Sequence, residues 1–316
     1  MSRSQLAPGV EVVAVDGREL AVRTADGEFL RVRTGDADVD ALRARLAGAD
    51  TARADGELDR LVAAFGAAGY LTEAEADVNP EADVNPEAGA DPEAGADPEA
   101  GADPDAGADP DTGGTPAAAA AWPAARRDIL VLGDPVLTGP LTRLLREAGA
   151  EPRPGTPGEA VAPEAAAAVV WCLDGPVPDG LWDDADRLPQ RGVAWLRCHR
   201  EGWQAYLEPV AAAPGDVTSA HLRARRLAAT PAHRELAAYW SGPRTTGAPV
   251  RLTTPAAALL AALLADDLTR WATGAPDTGA LPARRRLRRV DLRTLTVTEH
   301  PVLPVPDVAR IPVTAR

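Results

Sequence analysis

A run of acidic, proline-punctuated hexapeptides divides this chain and prevents its middle from folding on its own. EADVNP occurs twice from Glu75, EAGADP three times from Glu87, and DAGADP once from Asp105. Every unit carries proline and like charge, with too little apolar bulk to build a core. A six-residue period is also too short and too polar for a solenoid unit. Residues 73–121 are therefore expected to be a disordered acidic linker. As a flexible coil such a segment spans roughly 35 Å. The repeat also explains the net charge of −14, because 14 of the 47 acidic residues lie between Glu73 and Asp111, where there is no basic residue. The remainder balances 33 acidic residues against 33 arginines, so the acidity belongs to the linker and not to a binding face.

The flanks are long enough for two folded parts, residues 1–72 and 122–316. A hydrophobic content of 45% supports a core in each. Every basic residue is arginine, which excludes a lysine Schiff base and a P-loop lysine. Cys172 and Cys198 form neither a CxxC pair nor a disulfide framework, and a cytoplasmic setting fits. The N-terminus has no apolar signal core. The longest apolar run, Pro255 to Ala265, is too short to span a bilayer, so no membrane association is expected.

In the first part, Asp16-Gly17 and Asp26-Gly27 are hairpin-turn signals between alternating apolar runs. They predict a meander over 10–15, 18–24 and 28–33, with Leu30 and Val32 inward and Phe29, Arg31 and Arg33 outward. Helices are expected over 38–47 and 56–68. The second would turn Leu58, Leu61, Val62 and Phe65 inward and stop at Gly69. Strands followed by helices in about 72 residues suggest a small winged-helix-like domain. Its 9 arginines face 12 acidic residues, which removes the phosphate attraction on which DNA affinity depends. A winged-helix DNA-binding regulator is thus disfavoured, and no nucleic-acid partner is expected.

Beyond the linker the pattern becomes α/β, and a mostly parallel sheet covered by helices is the economical architecture. Strands are expected over 127–132, 166–173, 193–198 and 203–209. Helices are expected over 140–148 and 179–188, with a long one reaching Thr273, capped by Thr254 and opened by Pro255. Residues 289–292 and 296–303 would close the chain as a hairpin-like pair.

Catalytic chemistry is sparse. The turn LGDPVLTGP follows the first of these strands, where a nucleotide loop would lie, but Pro135 and Pro140 lack the N–H groups a phosphate cradle needs. His199 and His221 read as isolated surface or loop histidines. Cys198 and His199, as neighbours in a strand, would point to opposite faces, and both cysteines read as buried and inert. Asp183-Asp184 and Asp266-Asp267 read as solvated helix faces. No catalytic residue, cofactor or metal site is expected.

What the first part offers is the edge of 28–33, whose unpaired backbone groups suit an added strand. Arg31 and Arg33 would meet alternate side chains of that peptide. Leu30 and Val32, with Leu61 and Phe65 from the last helix, would supply the apolar seam.

Six stretches resemble a known family. APGVEVV, LRVR and LDRLVAAFGAAGYL resemble the leader-recognition domain found with ribosomally synthesised, modified peptides. DILVLGDPVLTGPLTRLLREAGA, YLEPVAAAPGDVTSAHLRARR and RRVDLRTLTVTEHPVLPVPDVARI resemble the ThiF-like cyclodehydratase partners, also called ocin-ThiF-like or leader peptide-binding proteins of azole clusters. The resemblance implies a degenerate ThiF-like domain, capture of a precursor's leader peptide, and a YcaO-type cyclodehydratase as partner, with a homodimer compatible. A residual ThiF-like adenylating enzyme is the alternative. Where the family carries two CxxC pairs for zinc, this chain has Thr218 and His221, then Val308 and Ile311, too few ligands for a tetrahedral site.

Deleting three hexapeptides is expected to leave the melting temperature of the full chain unchanged, because no packed backbone depends on them. A cooperative loss of folding in a thermal melt would show that the repeat is structural.

Overall fold

In the first sheet both faces are buried, which its sequence hides because the covering elements come from opposite sides of the linker. The computed structural model describes residues 4–15, 19–49, 56–73, 122–161, 163, 165–277, 279 and 281–306. The Asp16-Gly17 turn, residues 50–55, nearly all of the repeat linker, and Val308 and Ile311 lie outside the described residues.

The first part runs β1 (Ser4–Leu6), β2 (Glu11–Val15), β3 (Glu19–Arg23), β4 (Phe29–Val32), α1 (Val39–Leu46), α2 (Gly56–Ala67) and β5 (Leu71–Glu73). Strands β2, β3 and β4 form the expected antiparallel meander, and β1 pairs with β5. Asp38 caps α1 by accepting from the N–H groups of Asp40 and Ala41. The second part runs β6 (Asp128–Gly133), α3 (Pro135–Glu147), β7 (Glu151–Pro154), α4 (Pro157–Val161), β8 (Ala168–Leu173), β9 (Ala194–Glu201), β10 (Gln204–Leu207), α5 (Ser219–Ala229), α6 (His233–Ser241), β11 (Arg244–Thr246), α7 (Thr254–Thr273), β12 (Arg286–Asp291) and β13 (Thr296–Pro301).

The fold is α/β. A seven-stranded sheet takes the order β13-β12-β10-β9-β8-β6-β7. Strands β7, β6, β8 and β9 are parallel, and β10, β12 and β13 extend the sheet antiparallel. Its faces follow from strand periodicity: Ile129, Val131, Val170, Cys172 and Cys198 pack under α3 and α7, while Leu130, Leu132, Val169, Trp171 and Trp195 pack with Trp182 and Leu188.

Strand β11 pairs with the outer edge of β2, giving the first sheet the order β11-β2-β3-β4. Val12, Leu20 and Val22 pack with Leu42, Leu46, Leu58 and Phe65 of the two N-terminal helices. Val13, Val15 and Ala21 pack with Leu236, Tyr239 and Trp240 of α6. This double burial explains why β2 is apolar almost throughout.

Several expectations shift. Helix α3 begins at Pro135 and carries Pro140 inside it; proline is favoured at N1, and Pro140, sixth in the helix, lacks the N–H that would bond Val136. The helix expected over 179–188 is instead a set of turns leading into a 3-10 segment, Ala185–Arg191. Thr253, not Thr254, caps α7. The proline-bearing strand β7, which the sequence did not suggest, lies at a sheet edge where proline costs no ladder bond. Asp267 is buried between Arg286 and Arg288 and is no solvated face.

Gly133 ends β6 with φ +110°, and a β-carbon there would stand 1.7 Å from the Cys172 carbonyl oxygen. Gly133→Ala is expected to destabilise the fold by about 2–4 kcal/mol, from backbone strain plus overpacking. A thermal melt unchanged from the parent protein would contradict this packing.

Candidate functional site

The parity of the β3–β4 ladder decides what β4 presents to its surroundings. The Thr24 N–H donates to the Glu28 carbonyl at 2.8 Å, which makes Thr24 and Glu28 a hydrogen-bonded pair. With the register Arg23–Phe29, Val22–Leu30, Ala21–Arg31 and Leu20–Val32, the backbone groups of Leu30 and Val32 face β3. Those of Phe29 and Arg31 therefore point out from the sheet. Among the described residues β4 has no strand on that side.

The side chains are not all where the sequence suggested. Val32 borders the core shared with α1 and α2, but Leu30, expected inward, is 44% exposed at the margin. Phe29 and Arg31, expected to meet solvent, face α6. The Phe29 ring meets Tyr239 edge-on at 5.9 Å, and the Arg31 Nε donates to the buried Glu235. The reason is α6, which covers a face that looks solvent-exposed from residues 1–72 alone. The Arg31 side chain is still 63% exposed, so its remaining nitrogens stay accessible. Arg33 is exposed, Leu61 is half-buried and Phe65 is buried, both of the latter in the same core as Val32.

The turn after β6 is poorly suited to phosphate. The Asp134 backbone N–H donates to the Cys172 carbonyl, and its carboxylate accepts the Asp174 N–H at 2.6 Å. Asp134 stands at the N-terminus of α3 with Pro135 at the first helical position. An anionic ligand at this helix end would meet the chain's own carboxylate, and one backbone donor is missing.

Thr218 and His221, which stand where the resemblance places zinc ligands, make a capping box at α5. Thr218 Oγ1 accepts the His221 N–H at 3.2 Å, and His221 Nδ1 accepts the Thr218 N–H at 3.3 Å. Their spacing thus has a local structural cause. Cys172 and Cys198 are buried cross-strand neighbours, and the hydrogen bond between them together with burial pushes the Cys198 thiol up.

Sequence reasoning missed a buried polar chain on the other face of β9. Arg197, His199 and Glu201 alternate along that strand and are 0%, 3% and 1% exposed. His199 is therefore not the surface histidine it was expected to be. It lies 3.5 Å from Glu201 and 3.6 Å from Glu208, and stacks on Tyr206. Arg197 pairs with Glu208 at 2.7 Å. Glu201 receives two bonds from Arg226, at 2.9 and 2.7 Å, and one from the Trp240 indole at 2.9 Å. Arg23 of β3 reaches across with Nη2 3.0 Å from the Glu201 carbonyl oxygen, and also pairs with Glu11 at 3.6 Å. The available signal was three ionisable residues at period two, Arg197, His199 and Glu201, within AWLRCHRE.

Burial alone would raise the Glu201 carboxyl, but the Arg226 charge, with hydrogen bonds from His199 and Arg226, holds it well below the ordinary range. A depressed carboxylate contributes stability that is present above its unfolded value and lost as pH falls. The fold is thus expected to weaken below the usual glutamate value of about 4.3. Glu201→Gln should flatten that pH dependence while lowering stability at neutral pH. Parallel melting curves for the two proteins from pH 7 to pH 3 would contradict this.

No protein-family model matches the chain, and no curated protein matches it either. Among solved structures, the heterocyclase TruD aligns at TM-score 0.43 and 15% identity over 97% of this chain and 42% of its own. A heterocyclase in complex with substrate and cofactor aligns at 0.40 and 14%, over 96% of this chain and 39% of its own. The E. coli microcin synthetase McbBCD complex aligns at 0.39 and 10%, over 97% of this chain and 99% of the other. The chain spans about two fifths of the length of the two heterocyclases. Among the described residues no helix is long and apolar enough to cross a membrane.

Proposed function

We propose that this chain is a precursor-peptide-binding scaffold. It captures a leader peptide as an added strand on β4 and presents the core peptide to a YcaO-type cyclodehydratase that makes azoline or thiopeptide rings. In this reading residues 1–72 are the winged-helix-like recognition part, residues 73–121 a spacer, and residues 122–316 a ThiF-like body without its own catalytic step. The setting is cytoplasmic.

The observation that carries the reading is the free edge of β4, with the backbone of Phe29 and Arg31 turned outward and Leu30 left 44% exposed beside it. A free edge with an exposed leucine invites pairing, and a peptide strand satisfies both the backbone and the apolar contact. Arg33, Leu30 and Val32, with Leu61 and Phe65 behind them, then select the sequence. The leader expected is acidic at alternate positions, with one or two large apolar anchors. The Glu235 contact holds Arg31 in one orientation, so Arg31 meets the peptide through its remaining nitrogens and Arg33 supplies the uncompensated charge. The degenerate turn at Asp134 gives the adenylating alternative no support.

Reversing Arg31 would strand the buried Glu235, so the informative comparison is Arg31→Pro against Arg31→Ala. Both lose the ion pair, and only proline removes the outward N–H, at an edge where proline is tolerated. The full chain would be titrated with the fluorescein-labelled leader of a short Cys/Ser/Thr-rich precursor, which this reading expects among the neighbouring genes. The proline variant is expected to bind about tenfold more weakly than the alanine variant, the worth of one unmade backbone bond. Equal affinities would remove β4 as the site.

A further inference from the structure

A wide cleft opens at the N-terminal end of β4. Its volume is about 760 Å³, and Glu28 and Phe29 form part of its wall. The floor is apolar: Phe29 of β4, Tyr206 of β10, Leu236 of α6 and Leu287 of β12, the last three 7%, 6% and 7% exposed. Arg289 and His300 stand on β12 and β13 and line the cleft as well. Strands from both sheets and the α5–α6 turn thus enclose one concave site with an apolar floor and charged walls, a character that suits a ligand with both apolar and ionic groups.

Two polar groups in it are unspent. Arg289 donates through Nε to the Gln204 side-chain oxygen at 2.9 Å and through Nη2 to the Asp26 carbonyl at 3.0 Å. Both acceptors are neutral, and among the described residues Arg289 makes no ion pair. The deeper cations, Arg23 and Arg226, are already matched by Glu11 and Glu201. The Tyr206 ring is buried, and its hydroxyl, which makes no hydrogen bond to another described residue, meets the open cleft instead of the packed interior. A carboxylate beside a large apolar group would satisfy Arg289 and the hydroxyl while filling the floor.

Continuity with β4 says what brings such a group here. A peptide added antiparallel to β4 runs against it, so its C-terminal end leaves the edge at Phe29, over the cleft. We infer that the cleft is a second subsite for the same peptide, which takes a large apolar or aromatic side chain followed by a carboxylate, in the residues just after the strand-forming segment. This rests on the reading of β4 as the peptide edge. The two subsites together would divide recognition between backbone pairing and a side-chain anchor, so that the segment leading toward the core is fixed in direction as well as in register.

The test uses two fluorescein-labelled synthetic probes with the full chain. The short probe is an eight-residue alternation of glutamate and leucine. The long probe adds glycine, phenylalanine and glutamate at its C-terminus. The reading is the ratio of the two affinities by fluorescence anisotropy, in the parent protein, in Arg289→Gln, and in Ala229→Trp. Ala229 is an exposed cleft residue at the end of α5, where a tryptophan fills space without entering a core. The long probe is expected to bind about tenfold tighter than the short one in the parent. That ratio should fall to about threefold in Arg289→Gln and to about one in Ala229→Trp, with both variants checked for folding by thermal melts. A ratio near one in the parent, or a tenfold ratio kept in both variants, overturns the cleft while leaving β4 standing. If neither probe binds the parent, the edge reading and the cleft fall together.

Discussion

The carboxylate of Glu201 is the contact on which the two halves of this chain depend. It sits at the end of β9, and four elements converge on it: β3 through the Arg23 ion pair at 3.8 Å, α5 through Arg226, α6 through Trp240, and its own strand through His199. Removing a carboxylate and two guanidinium groups from water costs several kcal/mol each, repaid only where geometry is good and the remaining donors are met. Here Arg226 engages both carboxylate oxygens, and Arg23 is shared between Glu201 and Glu11. A cluster of this kind gives little net stability beyond what an apolar packing would give. What it specifies is position, because a slip of one residue in β3 or β9 would bury unpaired charge.

That position matters for the proposed function. The cluster and the apolar contacts around Tyr239 hold α6 against the back of the first sheet, and β11 closes the edge of β2. One edge of the sheet is thereby covered by the chain itself, and the other is left at β4. The same arrangement places Glu235 behind Arg31, and sets the α5–α6 turn opposite β12 to make the cleft beside Phe29. The free edge of β4 and the cleft both arise where the first sheet meets the second part of the chain.

Much of this was legible locally and little of it globally. Turn chemistry at Asp26-Gly27 and period-two patterning located β3 and β4, and helical spacing located α1, α2 and α7 with errors of a few residues. The free edge at 28–33 followed from the meander alone. What could not be read was which surfaces another segment covers. Phe29 and Arg31 look outward from residues 1–72 because α6 lies some two hundred residues later, beyond the linker. Arg23, Arg197 and Glu201 look like ordinary strand polarity until their partners are known. His221 looked like half of a lost metal site, and its spacing instead serves a helix cap. In each case local pattern fixes the element, and long-range pairing fixes what its side chains do.

The central claim is that a leader peptide adds to β4 as a strand, and amide hydrogen exchange of the full chain with and without the labelled leader tests it most directly. The account predicts new protection at the outward amides of Phe29 and Arg31, while those of Leu30 and Val32, already bonded to β3, change little. Protection that appears on binding at the turn after β6, with Phe29 and Arg31 unchanged, would contradict it.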